Sequence, residues 1–236
     1  MQQSQLRAYY EQFLEDGYSV VSFKEFEPNR QGQIVLRHDI DYDVGFALQC
    51  AELEHLLGIK ATYFFLMRSG FYNPFGSFEQ VAIERIKDLG HQISLHFDPS
   101  VYEDSQIEQG IKVESALFKH LYKEQVKIVS FHRPADRFLN WNRNISGIEH
   151  TYLPKYFREM AYYSDSMGLW RYGNPFESDA YRNRSNIQVL IHPVWWFQPG
   201  STNVEVVRNL FDKQVKKLRE NWKNNSKIFE QLEDGE

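Results

Sequence analysis

Short apolar runs that end in charged or polar residues recur along this chain. The first is the stretch 34–41, which begins apolar and ends with two aspartates, Asp39 and Asp41. Three later apolar runs each end in a histidine, and these histidines are His96, His132 and His192. Short apolar runs with polar ends are typical of buried strands. The pattern therefore predicts four core strands that carry ionisable side chains at their carboxyl ends.

Segments with helical spacing of apolar residues alternate with the predicted strands. The first runs from Val44 to Leu57, and Gly58 follows it as a C-cap, while Asp43 stands in the N-cap position. Further helices are predicted at 77–89 and 105–123, and another strand at 61–66. Alternation of strand and helix predicts an α/β fold with a parallel sheet or a (β/α) barrel.

The 236 residues are enough for one domain with a substantial core, since 42% of them are hydrophobic. We expect residues 1–33 to form a cap of one helix and one strand. Residues 34–236 form the main body, which closes with a helix from about Asn203 to Leu232. No internal repeat and no long linker divides the chain.

Net charge, cysteine content and the lack of long apolar runs indicate which partners and which cellular compartment to expect. The formal net charge is −5 and the charges are interspersed, so the sequence does not indicate a nucleic-acid or membrane surface. Cys50 is the only cysteine, which excludes a disulfide within the chain. The amino terminus lacks the apolar core of a signal peptide, and no apolar run approaches the roughly 20 residues of a membrane span. We therefore expect a soluble, cytoplasmic protein.

The two aspartates at the end of the first core strand point to a metal. Asp39 and Asp41 are two residues apart, so in extended backbone their side chains point the same way. Two carboxylates at one place repel each other unless a cation lies between them or one is protonated. The carboxyl ends of parallel strands meet at one edge, which would bring the three strand-end histidines to the same place. A shared divalent cation accounts for this set of residues.

Five segments in order resemble the motifs of polysaccharide deacetylases with a NodB homology domain. They are 37–41 (Arg-His-Asp-Ile-Asp), 57–65, 90–96, 131–134 (Phe-His-Arg-Pro) and 190–193 (Leu-Ile-His-Pro). The resemblance covers about residues 34–197. It implies an irregular (β/α) barrel of about seven strands, and a metal-dependent hydrolase that removes acyl groups from amino sugars.

The resemblance also implies a metal site, with two departures from the family pattern: Ile40 separates Asp39 from Asp41, which are adjacent in the family, and one histidine is missing. Asp41 takes the place of the metal-binding aspartate and His96 that of the first of two histidines spaced four apart. Ser100 stands where the second histidine belongs, so we expect His132 to supply the missing ligand. The expected cofactor is one divalent ion, with zinc first and cobalt or nickel as alternatives.

The remaining roles follow from the chemistry of amide hydrolysis. Asp39 is the expected base, and Arg133 is expected to hold it in place as a carboxylate. His192 is the expected acid for the leaving amine, and Asp165 either orients His192 or binds sugar hydroxyls. Five aromatic residues are candidates for stacking on a sugar ring: Phe71, Tyr72, Trp170, Trp195 and Trp196.

Other functions remain open at this stage. The leading interpretation is an N-deacetylase or N-deformylase that acts on an amino sugar or a polysaccharide precursor. A cyclic amidase or a phosphoester hydrolase on the same barrel is a second enzyme class. The alternative outside catalysis is a degenerate barrel that binds glycans or a partner protein, because Ser100 replaces a histidine. The sequence does not indicate the oligomeric state.

Overall fold

The computed structural model describes residues 3–229 and consists of parallel strands with helices between them. The strands are β1 (Ser19–Val21), β2 (Gln33–Ile40), β3 (Thr62–Leu66), β4 (Gln92–Phe97), β5 (Ile128–Phe131), β6 (Glu149–His150), β7 (Ala161–Ser164) and β8 (Ile187–Ile191). The helices are α1 (Gln3–Glu15), α2 (Val44–Leu56), α3 (Ser77–Asp88), α4 (Ile107–Tyr122), α5 (Asp136–Leu139), α6 (Pro154–Phe157), α7 (Asp179–Arg182), α8 (Val194–Phe197) and α9 (Asn203–Asn225).

The strands form one parallel sheet that curls into an open barrel. Seven strands follow the order β6-β5-β4-β3-β2-β8-β7, and β1 pairs with the amino end of β2. Strands lie about 4.8 Å apart, so β2 and β5 would be about 14 Å apart in a flat sheet. Yet the Ser130 hydroxyl on β5 is 3.0 Å from the Asp39 carboxylate on β2. The sheet is therefore strongly curved, with these side chains on its concave side.

The gap in the barrel lies between β6 and β7, which share no ladder within residues 3–229. A side chain bridges this gap. The amide of Gln188 on β8 donates to the carbonyls of Thr151 and Tyr156, which follow β6, at 3.3 and 2.6 Å. The prediction of a single α/β domain with an irregular barrel of about seven strands is confirmed.

The two faces of β2 have different surroundings because successive side chains alternate. All eight residues of β2 are buried. Leu36 and Ile40 belong to the larger core between sheet and helices, whereas Val35 belongs to a small apolar cluster inside the barrel. Arg37 and Asp39 share the inner face with Val35. The barrel interior is thus apolar at its amino end and charged at its carboxyl end.

Helix α2 begins at Val44, as predicted. The Asp43 carboxylate accepts from the backbone N–H groups of Gly45 and Phe46 at 2.8 and 3.3 Å, which confirms the N-cap. The cap fixes the turn between β2 and α2 that contains Asp41. The carboxyl end of β2 is thereby held in a defined turn.

The carboxyl-terminal helix is shorter than predicted. Helix α9 ends at Asn225, and Leu232, the predicted end, lies outside the described residues. Within the described part of the chain, no helix is both long and apolar enough to cross a bilayer. The assignment of residues 1–33 to a cap stays a prediction, although β1 is part of the sheet.

Candidate active site

The structure brings the three predicted metal ligands together. His96 Nε2 lies 3.2 Å and His132 Nδ1 lies 3.1 Å from Asp41 Oδ1, and the two imidazole nitrogens are 3.2 Å apart. The three residues come from the ends of β2, β4 and β5. One carboxylate oxygen and two imidazole nitrogens thus converge on one point at the carboxyl edge of the sheet.

The chemistry of these three groups fits a divalent cation. Asp41 Oδ1 is buried and has no hydrogen-bond partner among the described residues, although two imidazoles face it. Burial disfavours the charged carboxylate, but His132 and His96 outweigh this and hold the pKa of Asp41 far below its usual range. A buried, unpartnered carboxylate oxygen beside two imidazole nitrogens is the donor set of a catalytic zinc site.

The Ser130 hydroxyl fixes which nitrogen of His96 faces this point. Arg37 Nη2 donates to Ser130 Oγ at 2.6 Å, and Ser130 Oγ donates its single proton to the Asp39 carboxylate at 3.0 Å. Toward His96 Nδ1, at 3.0 Å, the hydroxyl can therefore only accept. Nδ1 therefore carries a proton, and in the neutral imidazole this leaves the lone pair on Nε2, the nitrogen that faces Asp41. This tautomer is the one a metal ligand needs.

Asp39 is held by a guanidinium on its own strand. Arg37 Nε and Nη2 donate to the two Asp39 oxygens at 2.9 and 2.6 Å, and both side chains are buried. Burial raises the pKa of Asp39, but the Arg37 charge outweighs it and keeps that pKa below its usual value. Asp39 is therefore a fixed carboxylate at neutral pH.

His192 follows β8 and is held by a buried acid. Asp165 accepts from His192 Nδ1 at 2.6 Å, from the His192 backbone N–H at 3.0 Å and from Trp196 Nε1 at 2.7 Å. Burial lowers the pKa of His192, but the Asp165 carboxylate outweighs it and raises that pKa to about 9. His192 Nε2 faces the site, 4.0 Å from Asp41 Oδ2. An imidazolium held this way can donate a proton to a leaving group.

These groups form the floor of a cleft of about 880 Å³. Ionisable side chains at the floor are Asp39, Asp41, His96, His132 and His192. Its walls contain Trp195, Tyr162, Tyr172 and Phe157, together with Arg133 and Arg171. The volume is within the range of about 300–1,000 Å³ that is usual for small-ligand sites.

Known structures share this architecture. A family 4 carbohydrate esterase from Bacillus anthracis aligns with a TM-score of 0.46 and 16% identity over 89% of this chain and 86% of that one. The chitin deacetylase from the fungal pathogen Colletotrichum lindemuthianum aligns with a TM-score of 0.50 and 15% identity over 79% of this chain and 84% of that one. This chain has the polysaccharide deacetylase fold. The resemblance inferred from its motifs is confirmed at that level.

The structures similar to this chain include one described as a pseudoenzyme. A pseudoenzyme of the carbohydrate esterase family 4 from Bacillus anthracis aligns with a TM-score of 0.39 and 13% identity over 81% of this chain and 63% of that one. No family model and no curated protein matches the sequence. The chain is therefore a divergent example of the fold.

Within this deacetylase fold, the predicted role of Arg133 is wrong. Arg133 donates to Asp98 at 3.3 Å and its side chain is 73% exposed, whereas Asp39 is paired with Arg37. Arg133 lies in the turn after β5 with a positive φ of 44°, and its guanidinium is at the cleft rim beside Asp98 rather than beside Asp39. Alternation along β2 already puts Arg37 on the same face as Asp39, and this signal was missed.

Three of the predicted stacking residues do not line the cleft. Tyr72 is buried, and its hydroxyl donates to the Ile40 carbonyl at 2.9 Å and accepts from the Leu66 N–H at 2.7 Å. Trp196 is buried against Asp165, and Trp170 stacks on Tyr9 with ring centroids 5.8 Å apart. These side chains are structural.

The other two stacking candidates differ from each other. Trp195 does line the cleft. Phe71 is 48% exposed and packs edge-on against Tyr42, which is itself a cleft residue, at 4.8 Å. The aromatic residues of the cleft wall that sequence reasoning missed, Tyr162 and Tyr172, belong to β7 and the loop after it, where the sequence pattern is irregular.

A second cluster of polar side chains lies on the opposite face of β2. His38 Nε2, the Tyr10 hydroxyl and the Tyr63 hydroxyl all donate to the carboxylate of Glu54, at 2.7, 2.6 and 2.7 Å. Cys50 Sγ lies 3.6 Å from the same carboxylate. All five side chains are fully buried. Since the hydrogen bonds satisfy the carboxylate, this cluster is a structural network that ties α1 and α2 to the sheet.

Proposed function

We propose that this protein is a metal-dependent hydrolase that removes an N-acyl group, acetyl or formyl, from an amino sugar or a polysaccharide precursor. Asp41, His96 and His132 hold the metal, Asp39 is the base, and His192 is the acid. The observation that carries the proposal is the convergence of these five side chains, which come from the ends of β2, β4, β5 and β8, at the floor of one cleft.

The donor set supports zinc as the metal. One carboxylate and two imidazoles are a usual set of protein ligands for catalytic zinc, which keeps a further position open. When bound, such a cation polarises an acyl oxygen and makes a water molecule more acidic. Cobalt and nickel accept the same ligands.

The side chains around this position supply the proton transfers. Asp39 accepts a proton from the water that attacks the acyl carbon, and Arg37 and Ser130 keep its carboxylate ionised and aimed at the cleft. His192 Nε2 donates a proton to the amine nitrogen as the C–N bond breaks. Asp165 stabilises the imidazolium before this step and orients the ring.

The test is to load the purified protein with zinc, cobalt or nickel and to measure acetate and formate release from a panel of N-acylated amino sugars. We expect one metal ion per chain and hydrolysis of at least one member of the panel.

Variants of the site separate the roles of its residues. D39N and H192Q should retain the metal and lose at least about 100-fold in kcat, as expected for general acid–base groups. D41N should lose the metal. H120Q, an exposed histidine on α4, is the matched control and should behave as wild type.

Two results would contradict the proposal. Stoichiometric metal without acyl release from any substrate would leave a metal-binding protein that is not a deacylase. Failure to bind any of the three metals would favour the non-catalytic barrel that binds a glycan or a partner. In either case the geometry of the cleft would need another explanation.

A further inference from the structure

The walls of the cleft carry two arginines that the proposed hydrolysis does not use. Arg171 lies in the loop between β7 and β8, and Arg133 lies in the turn after β5. Both line the same cavity as the metal ligands. The following inference rests on the proposed function, because it concerns the substrate of the same site.

The base of the Arg171 loop is fixed while its side chain is unpaired. Its backbone N–H donates to the Ser164 carbonyl at 3.1 Å, which ties the loop to the end of β7. Among the described residues, no hydrogen bond, ion pair or ring contact engages the Arg171 guanidinium. Its five donors are available to a ligand in the cleft.

The side chain of Arg133 is only loosely held. Its single partner, Asp98, accepts at 3.3 Å, and its side chain is 73% exposed. The neighbouring exposed arginine Arg137 is instead paired with Asp104 and lies over the ring of Phe138 at 4.7 Å. Arg133 and Arg171 therefore differ from Arg137 because they have N–H donors that are free to face the cleft.

The balance of charge in the cleft favours an anion. The Asp39 carboxylate is already neutralised by Arg37, and Asp41 belongs to the proposed metal site. One further acid, Asp136, lines the cleft against the two arginines. A cleft that also holds a divalent cation is net positive, and such clefts attract anionic ligands.

Aromatic rings stand beside the arginines. Tyr162 and Tyr172 pack with their ring centroids 5.6 Å apart, and both line the cleft together with Trp195. Flat aromatic faces suit a sugar ring or a base, whereas guanidinium groups bind phosphate through charge-assisted pairs of hydrogen bonds. A neutral polysaccharide would use the first of these features and not the second.

We infer that the substrate is a phosphorylated N-acyl amino sugar, with the acylated sugar at the metal end and a phosphate ester bound by Arg171 and Arg133. The shared chemistry is a phosphate ester, whether it links the sugar to a nucleotide or to a lipid. The cleft suits either source. Its rim continues into an exposed apolar stripe on α9 that begins at Val204 and Val207.

Binding and turnover by the zinc-loaded protein test this inference separately. Calorimetry would compare N-acetylglucosamine 1-phosphate, UDP-N-acetylglucosamine and farnesyl-diphosphate-linked N-acetylglucosamine with neutral N,N′-diacetylchitobiose. We expect at least one phosphorylated probe to bind at least about tenfold more tightly than the neutral one. R171A and R133A should each weaken binding of that probe by about tenfold. R182A removes an exposed arginine on α7 outside the cleft and should leave all binding constants unchanged.

The outcomes separate the inference from the function on which it rests. Arginine-dependent binding of a phosphorylated sugar, with no acyl release from these probes or from the whole panel of N-acylated amino sugars, would refute the deacylase and leave the phosphate site standing. Equal or tighter binding of the neutral disaccharide would overturn the inference. So would wild-type affinity of R171A and R133A for the phosphorylated probes. The three phosphorylated probes also distinguish a free sugar phosphate from a nucleotide or a lipid carrier.

Discussion

At the scale of single residues, Ser130 connects the base to the metal ligand. Its hydroxyl accepts from Arg37 and from His96 Nδ1, and donates to Asp39. No motif in the sequence identifies a serine for this task. The position could have been inferred only from alternation, since Ser130 lies two residues before His132 on the same face of the strand end.

We predict that S130A weakens zinc binding and slows acyl hydrolysis. The variant removes the acceptor for His96 Nδ1, and loss of such a partner costs about 10–100-fold in metal affinity or activity. Zinc affinity from chelator competition and kcat for the best substrate are the measurements. S94A is the matched control, because Ser94 is a buried barrel serine that donates to the Ile128 carbonyl and contacts neither Asp39 nor His96. Equal effects of S94A and S130A would mean that only packing is being measured.

The pair of Asp165 and His192 predicts a pH dependence. Asp165 raises the pKa of His192 to about 9, against the desolvation that lowers it. The acid form is present below that pKa and is lost as the pH rises through it, so kcat should fall on the alkaline side. A metal ion nearby would move this limb to lower pH, because like charges disfavour the imidazolium.

In D165N the alkaline limb of the profile of kcat against pH should move to lower pH by at least about one unit, because the carboxylate no longer favours the imidazolium. N203A, which removes a cleft side chain that does not contact Asp165, is a control for nonspecific change in the cleft. An unshifted limb in D165N would exclude His192 as the acid that the profile reports.

At the scale of elements, β2 holds a charged site on one face and a buried polar network on the other. Glu54 on α2 accepts from His38 and from two tyrosines, and none of these side chains is exposed to solvent. Alternation along β2 puts His38 on the face opposite to Asp39, which is where the structure has it. Sequence reasoning could not identify Glu54, because an acid within an amphipathic helix pattern is usually on the surface.

We predict that E54Q lowers the free energy of unfolding by about 3 kcal/mol or more, because it removes the buried negative charge and turns one of the two acceptor oxygens into an NH2 donor that faces other donors. Urea unfolding at neutral pH measures this loss. E52Q is the matched control on the same helix, since Glu52 is exposed, and should be within about 0.5 kcal/mol of wild type. A small effect of E54Q would mean that the network contributes little to stability.

The same carboxylate predicts part of the acid denaturation. Burial raises the pKa of Glu54, but His38 outweighs this and lowers it from 4.5 to about 2. Its contribution is therefore fully present above about pH 4.5 and is lost as the pH falls toward 2. Wild-type unfolding free energy should drop over that interval, and in E54Q the drop should be smaller by the share of Glu54. Parallel curves for the two proteins would contradict the assignment.

At the scale of the whole molecule, the parallel topology and the set of strand ends could be predicted from the sequence. Strands β2, β3, β4, β5 and β8 are apolar runs with clear boundaries, so the edge where Asp41, His96 and His132 meet followed from parallel topology. The curvature that brings Asp39 next to Ser130 could not be read from local pattern, because it depends on contacts between strands distant in sequence.

The walls of the cleft were the least predictable part. The irregular region 135–186 supplies Tyr162, Arg171 and Tyr172 as well as Asp165. In such loops the side-chain directions follow from tertiary contacts rather than from a regular period. For this reason Trp170, which was assigned to the substrate, packs on Tyr9 instead, and Arg171 was missed.

The most direct test of the account is to locate the metal. Crystals of the zinc-loaded protein, measured on both sides of the zinc absorption edge, would show the ion as an anomalous difference peak. The account predicts one peak, within about 2.0–2.2 Å of Asp41, His96 Nε2 and His132 Nδ1. A peak at His38, Cys50 and Glu54 instead, which also bring their ligand atoms together, or no peak at the cleft floor, would contradict it.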